Sequence, residues 1–523
     1  MNRQFLRGIS LISAFALTLT AAGCGKSKKA AKISDDKPLT VSMLYGDNPS
    51  APFNKDWVVV KEIEKRANVK LEVQAVPISD IGDKRKIVFN SGELPDLIGF
   101  TWSNDVSEYV GANIILPISK YEKKLPNMMK RIKELDFEDG VNDLKELDGN
   151  YYVLPQMNQY KSQDLCMFIR KDIFDKHNMA VPGTYEELYQ DMKKLKELYP
   201  NSLPFTSFGT HTQFFSALGP AFKCDGVGHP YGYTYNKNAD KWEFVPATEN
   251  YRKMMEYTVK LSEDGLLDPE TFTQDRNQWV QKLVTGKSFV TYGYYDATGQ
   301  INKEGKKLQG EDFEFIEILP LAGPDGTIAV GKSGRGGGSS VAIAASKAED
   351  PNFDRFMKFV DWLYFSDEGI KLTRLGVEGL TYQKAADGKY ERTPNIMTAL
   401  NPEGTKQLSK DFGVSDVNFS IVSMSKFATK PTNPKREEYM ETLRKNNWIP
   451  DSNPTILIND DDKEEVNILV QRLNDNTSQS IFDFVFGKRS IKEWDKYLKE
   501  VEDIGYKKLE NILNKNWKEN RKK

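Results

Sequence analysis

Leu39-Thr40-Val41-Ser42-Met43-Leu44-Tyr45 opens the folded part of this chain as an apolar run with a strand pattern. Asp56 to Ala67 follows with helical spacing. Val69, Leu71, Val73 and Ala75 then alternate with Lys70, Glu72 and Gln74, the signature of a second strand. Asp80 to Phe89 is again helical in pattern, and Pro95-Asp96-Leu97-Ile98-Gly99-Phe100 is a short strand bounded by Pro and Gly. Strand-helix-strand-helix-strand at this spacing predicts parallel pairing with right-handed crossovers. Ligands of such sheets sit beyond the carboxyl ends of the strands. Tyr45 to Trp57 and Thr101 to Asn104 are thereby placed at a site edge.

Farther along, Thr184-Tyr185-Glu186-Glu187 is a capping box, with Tyr185, Leu188, Met192, Leu195 and Leu198 on one helix face behind it. Phe353 to Phe365 reads as a second helix. Ile491, Trp494, Leu498, Val501 and Leu509 mark a long C-terminal one. The run Gly334-Arg335-Gly336-Gly337-Gly338 separates two halves and leads into the strand Val341 to Ala345.

The chain has 523 residues, enough for two or three domains. Lys plus Arg at 73 against Asp plus Glu at 75 removes a general electrostatic case for nucleic acid. The three histidines include no helical i, i+4 pair, so a zinc-protease helix is excluded. Cys166 and Cys224 either pair or stay as buried thiols, and Cys166 lies in an apolar strand-like run. Beyond the N-terminal segment no apolar run approaches the roughly 20 residues that cross a bilayer.

That segment, Met1 to Gly23, reads as a secretion signal. Arg3 and Arg7 give the positive start, Ile9 to Leu19 the apolar stretch, and Ala21-Ala22-Gly23 a small-residue cleavage zone. Cys24 directly after it resembles the lipobox of bacterial lipoproteins, where the cysteine is lipid-modified and becomes the mature N-terminus. Ala21 stands where that pattern favours Leu. Residues 24–37, Lys-, Ser- and Ala-rich, then read as a lipidated cysteine with a flexible linker. An exported, tethered protein has no access to cytoplasmic ATP or NAD.

Several ordered segments resemble the extracellular solute-binding proteins, family 1, of bacterial carbohydrate ABC importers, and most of all their large Gram-positive lipoprotein branch. They are Gly92-Glu93-Leu94-Pro95-Asp96, Asp148-Gly149-Asn150-Tyr151-Tyr152-Val153-Leu154-Pro155, Ile169-Arg170-Lys171-Asp172-Ile173-Phe174 and Val181-Pro182-Gly183-Thr184-Tyr185-Glu186-Glu187-Leu188. Later come Gly265-Leu266-Leu267-Asp268-Pro269, Phe365-Ser366-Asp367-Glu368-Gly369 with Gly376-Val377-Glu378-Gly379, and Phe486-Gly487-Lys488 with Trp494-Asp495-Lys496-Tyr497. The resemblance implies an α/β, two-lobed, periplasmic-binding-protein-like clamshell of type II, with mainly parallel sheets flanked by helices. By analogy the first lobe takes residues 38–163 plus about 330–425, and the second about 164–329 plus about 426–523. Oligosaccharide-binding relatives often carry a calcium loop after the capping-box helix. Here that position reads Leu198-Tyr199-Pro200-Asn201-Ser202-Leu203-Pro204 without a carboxylate, so no metal is expected. The acidic run Asn459 to Glu465 is better explained as a helix N-terminus.

A sugar site wants aromatic platforms and planar side chains with fixed donors and acceptors. Trp57, Trp102 and Asn104 lie on loops at carboxyl strand ends of the first lobe. Tyr294, Tyr295 and Asp296 follow a strand-like run in the second. Arg335 sits among glycines near a hinge crossing, and Trp448 is a candidate on the third crossing. Core packing is the competing reading for the tryptophans, and a surface loop for Arg335. The expected function is a non-enzymatic, lipid-anchored, monomeric substrate-binding protein on the extracellular face of the cell membrane. It captures an oligosaccharide and delivers it to permease subunits, with no cofactor. The alternatives are a sensor or peptide binder on the same fold, and a secreted polysaccharide-active enzyme.

Overall fold

The structure, a computed structural model, describes residues 37–225, 232–398, 401, 403–430 and 434–521. Cys24 and the secretion signal lie outside the described residues. The opening stretch folds as strand Leu39–Asp47, helix Val58–Ala67, strand Val69–Pro77, helix Ile81–Ser91 and strand Leu97–Thr101. Leu39–Asp47 is central, parallel to Val69–Pro77 on one side and to Leu97–Thr101 on the other. Ser340–Ile343 returns much later in the chain and adds to Leu97–Thr101 antiparallel. Helix Val58–Ala67 turns into its strand through Asn68 at φ 53°, a left-handed conformation that asparagine tolerates. Val41, Met43, Ile63 and Leu97 from this unit pack with Phe356 and Val360 of helix Phe353–Phe365 into one core.

A second sheet has the order Phe315–Ile318, Leu165–Arg170, Val290–Tyr294, Phe205–Thr206. Parallel pairing, which covers two of the three pairs in the first sheet, is reduced here to Phe205–Thr206 with Val290–Tyr294; the other two pairs are antiparallel. The reason is topological. Val290–Tyr294 and Phe315–Ile318 come back from distant parts of the chain and flank Leu165–Arg170, and the crossover rule that governs consecutive strand-helix-strand units does not apply to them. Helix Tyr185–Leu198 starts as expected: Thr184 Oγ1 accepts from Glu187 N at 3.1 Å, and Glu187 Oε2 accepts from Thr184 N at 3.2 Å. Leu188, Met192 and Leu195 of that helix join Phe214, Leu218, Met254, Leu473 and Trp494 in a second core. Cys166 and Cys224 are buried free thiols.

Helix Asp460–Val485 carries Asp460, Asp461 and Asp462 in its first turn, where the helix dipole favours negative charge. The C-terminal segment corrects one expectation. In place of a single long helix there are two, Trp494–Ile504 and Tyr506–Asn520, broken at Gly505 with φ 114°.

Between the two cores the described segments near residues 157–164, 319–339 and 446–453 lie side by side. These crossings run against one another: Asn158 N donates to Arg335 O at 2.6 Å, Val330 N to Trp448 O at 2.9 Å, and Ser333 N to Pro450 O at 3.1 Å. Met157–Asn158 also pairs parallel with Val422–Ser423. Among the described residues no helix is long and apolar enough to cross a membrane.

Candidate functional site

At the carboxyl end of Leu39–Asp47 the chain is roofed by a segment from far downstream. The Asn418 side-chain amide accepts from Gly46 N at 3.1 Å and donates to Gly46 O at 3.0 Å, while Tyr45 Oη donates to Asp416 at 2.5 Å. Burial, and next Asp416 beside it, push the Tyr45 hydroxyl far above its ordinary pKa, so it stays protonated. This roof decides the fate of Trp57. It is 1% exposed, lies edge-on to Phe53 with centroids 5.7 Å apart, and donates from Nε1 to Lys410 O at 2.8 Å. The structure makes it a core residue of the first lobe.

Leu97–Thr101 ends through Phe100 at φ 51°, whose carbonyl accepts from Arg85 Nη1 at 2.8 Å. The Arg85–Asp105 ion pair, at 2.6 Å, holds the following turn. Trp102 is partly buried and edge-on to Phe100 at 4.8 Å, while Asn104 is exposed. In the second lobe Val290–Tyr294 delivers Tyr294, 39% exposed and edge-on to Phe208 at 6.0 Å, and then Tyr295. The Asp296 side chain lies outside the described residues. Arg335 donates to Leu135 O at 2.6 Å and Asp136 O at 2.5 Å, clasping the carbonyl end of helix Pro126–Glu134. Trp448 is partly buried on a small core that includes Trp279 and Leu443.

Two cavities are lined from both sides of the crossings. The one beside the hinge, about 500 Å³, takes Asn158, Tyr160 and Lys161 from the first crossing. Tyr295, Arg436 and Arg444 line it from the second lobe, and Arg374, Arg392 and Ser423 from the first. A volume of this size fits a small ligand. Tyr160 is 54% exposed, with the Arg444 guanidinium 5.4 Å from its ring centroid. The Arg436 guanidinium stacks 4.6 Å from the Tyr295 ring.

The charges in this cavity divide into two kinds. Lys161 pairs with Asp451 at 2.5 Å, Lys430 with Asp387 at 3.1 Å, Arg444 with Glu437 at 3.3 Å, and Arg436 with Glu317. Arg374 instead donates from Nη2 to Ser423 Oγ at 2.7 Å, and Arg392 to the carbonyls of Leu375 at 2.9 Å and Arg374 at 3.2 Å. Burial lowers the pKa of both, and the neighbouring Arg374 charge helps bring Arg392 down to about 10.

The other cavity, about 740 Å³, lies between the first lobe around Ser103–Tyr121 and residues 455–467. Asn104 lines it, with Tyr121, Tyr152, Lys463 and several carboxylates. Burial, and then Asp139, raise the Asp143 pKa; burial also raises that of Glu146, against the Ser107 hydroxyl that donates to it at 2.6 Å.

Of the sequence candidates, Tyr295 lines the hinge-side cavity and Asn104 the other; Trp57, Trp102, Tyr294, Arg335 and Trp448 line neither. Tyr160, Arg374 and Arg392 were missed. For Tyr160 a signal existed: Gln156-Met157-Asn158-Gln159-Tyr160 is a polar and aromatic stretch between two apolar runs.

A family model described as a bacterial extracellular solute-binding protein matches residues 50–369. The fructooligosaccharide ABC transporter substrate-binding protein FusA of Streptococcus pneumoniae serotype 4 is 23% identical over 541 residues, covering 96% of each chain. The polygalacturonan/rhamnogalacturonan-binding protein YtcQ of Bacillus subtilis is 24% identical over 516 residues, covering 96% of this chain and 97% of that one. In fold, the chain is similar to the crystal structure of alginate-binding protein AlgQ2 without calcium ion, with a TM-score of 0.74 at 20% identity. That match covers 94% of this chain and all of the other.

Proposed function

The chain belongs to the bacterial extracellular solute-binding proteins and has their two-lobed type II fold, and on that premise we propose that it captures an oligosaccharide between its lobes and delivers it to an ABC importer permease. The observation that carries the reading is the hinge-side cavity. It is lined from both lobes, presents Tyr160 as an accessible ring, and surrounds that ring with planar donors and acceptors such as Asn158 and Gln159. Sugars offer hydroxyl rims and weakly apolar C–H faces, and this combination suits both. Tyr160 and Tyr295 are the proposed stacking residues, and Asn104 a contact for a longer chain that reaches the other cavity.

Ligand touching both walls favours the closed arrangement only through contacts absent in the open one. Closure is proposed as a hinge motion about the three crossings, with the first lobe comprising residues 38–163 and about 330–425. No step requires bond chemistry, and the protein acts as a monomer. Cys24 carries a diacylglyceryl anchor, since two acyl chains hold firmly where one is marginal. Thermal-shift measurement with a panel of neutral and acidic oligosaccharides tests capture; no shift with any of them refutes it. Cys24→Ser tests the anchor separately: the expected outcome is release into the medium of a protein that still binds, and retention at the membrane refutes it.

A further inference from the structure

FusA is named for fructooligosaccharides, which are uncharged, and YtcQ for polygalacturonan and rhamnogalacturonan, which carry carboxylates, so the relatives leave the charge of the ligand open. The hinge-side cavity does not. We propose that it receives a saccharide bearing a carboxylate, and that Arg374 and Arg392 together bind that acid group. The inference deepens the capture reading and rests on it.

Four other cations of the lining, Lys161, Lys430, Arg436 and Arg444, each have an acidic partner. Arg374 and Arg392 have none among the described residues. Two neighbouring guanidiniums in a partly dry wall repel each other and lose hydration. A bound carboxylate offsets both costs at once, and guanidinium is the side chain whose geometry matches it.

Arg392 is held on one side by the carbonyls of Leu375 and Arg374, at the end of helix Asp367–Leu375. Arg374, in the last turn of the same helix, is favoured there by the helix dipole, yet its guanidinium has Ser423 Oγ as its one protein acceptor among the described residues. Each guanidinium has more N–H groups than these bonds use, and both residues are partly exposed on the cavity wall.

The 740 Å³ cavity is lined by Glu108, Asp143, Glu146, Asp148 and Asp460 against Lys120 and Lys463, whereas the hinge-side lining sets six cations against Asp164 and Glu437. An acid group is therefore directed to the hinge side. A small inorganic anion would leave most of 500 Å³ unfilled, with Tyr160 open beside it. A sugar acid fills the space and uses the ring.

The test is calorimetric titration of the protein with trigalacturonate, with its fully methyl-esterified form, and with a neutral fructotriose. The expected result is that the acid binds about tenfold or more tightly than its ester, in proportion to a lost charge-assisted hydrogen bond. Arg374→Gln, which removes no helix cap, should weaken the acid by a similar factor and the ester by far less, and Arg374→Lys should recover part of the loss. A circular dichroism melt of each variant shows that it is folded. Equal affinity for acid and ester, or an acid affinity indifferent to Arg374→Gln, overturns the inference. If the ester or fructotriose binds best, oligosaccharide capture stands while the acid site falls. If no saccharide binds, the capture reading falls with it.

Discussion

Trp57 should govern the stability of the first lobe while having no direct part in ligand binding. Its indole is enclosed, donates to Lys410 O at 2.8 Å and packs on Phe53. Trp57→Ala removes a whole buried indole and should cost about 3–5 kcal/mol, the range for such truncations. Trp57→Phe keeps one ring but strands the Lys410 carbonyl, at about 1–2 kcal/mol. Gly413 supplies an internal control. It sits at φ 70°, and a Cβ there would lie 2.6 Å from Trp57 Cε3. Gly413→Ala should therefore be destabilising twice, by about 1 kcal/mol for the left-handed backbone and more for the contact. In the Trp57→Ala background the contact cost disappears, so the double variant should be more stable than the sum predicts. Urea denaturation followed by far-UV circular dichroism measures the stabilities, and calorimetry the saccharide affinity of folded protein. A Trp57→Phe protein with unchanged unfolding midpoint and abolished binding would refute the reasoning and restore Trp57 as a ligand platform.

Arg335→Ala should lose about 1–3 kcal/mol by freeing the carbonyls of Leu135 and Asp136, at unchanged saccharide affinity. Loss of binding without loss of stability would reverse that assignment. Asp191 titrates at about 6 because burial, and next Glu187, disfavour its charged form, against Lys194. The folded state holds a proton that the unfolded state releases near pH 4, so the stability this residue confers falls as pH rises from about 4 to 6. Asp191→Asn should flatten that part of the pH–stability curve and stabilise at pH 7 by about 1–2 kcal/mol, discounted for solvent screening. An unchanged curve counts against the shift. Thr184→Ala should cost about 1 kcal/mol through the lost cap, read from the thermal midpoint.

The first three strands were legible because their signals are local. Periodicity and turn residues lie within residues 39–101, and parallel pairing follows from the crossovers. Helix Phe353–Phe365 and the Thr184 cap were legible for the same reason. The C-terminal helix was over-extended because Trp494, Val501 and Leu509 all face the same core across the Gly505 break, so apolar spacing carries no mark of the interruption. Trp57 was placed on a rim because what covers it, residues 408–418, lies more than 350 positions away. Arg374 and Arg392 sit in unremarkable stretches of sequence. They form a pair only because strand Tyr390–Arg392 folds back onto the end of helix Asp367–Leu375.

On the proposed reading, the arrangement of the crossings lets a few ligand contacts set the angle between the lobes. Asn158, Arg335, Val330 and Trp448 are joined by backbone hydrogen bonds, so a change in lobe angle is absorbed by a few neighbouring torsions. On the proposed reading Tyr160 stands at the first crossing, with Arg436 on one wall of the cavity and Arg374 with Arg392 on the other. A ligand seated on Tyr160 alone would bind open and closed forms alike and shift nothing. A sugar whose acid group meets the two arginines while its ring meets the opposite wall binds only when the walls are close. Moving the population from 1:99 to 99:1 takes an affinity ratio of about 10⁴ between the two forms. Contacts on a single wall do not supply it, and contacts divided across the hinge do. On the proposed reading the same division accounts for the two unbalanced arginines: the ligand is their counter-ion, and its binding favours the closed arrangement.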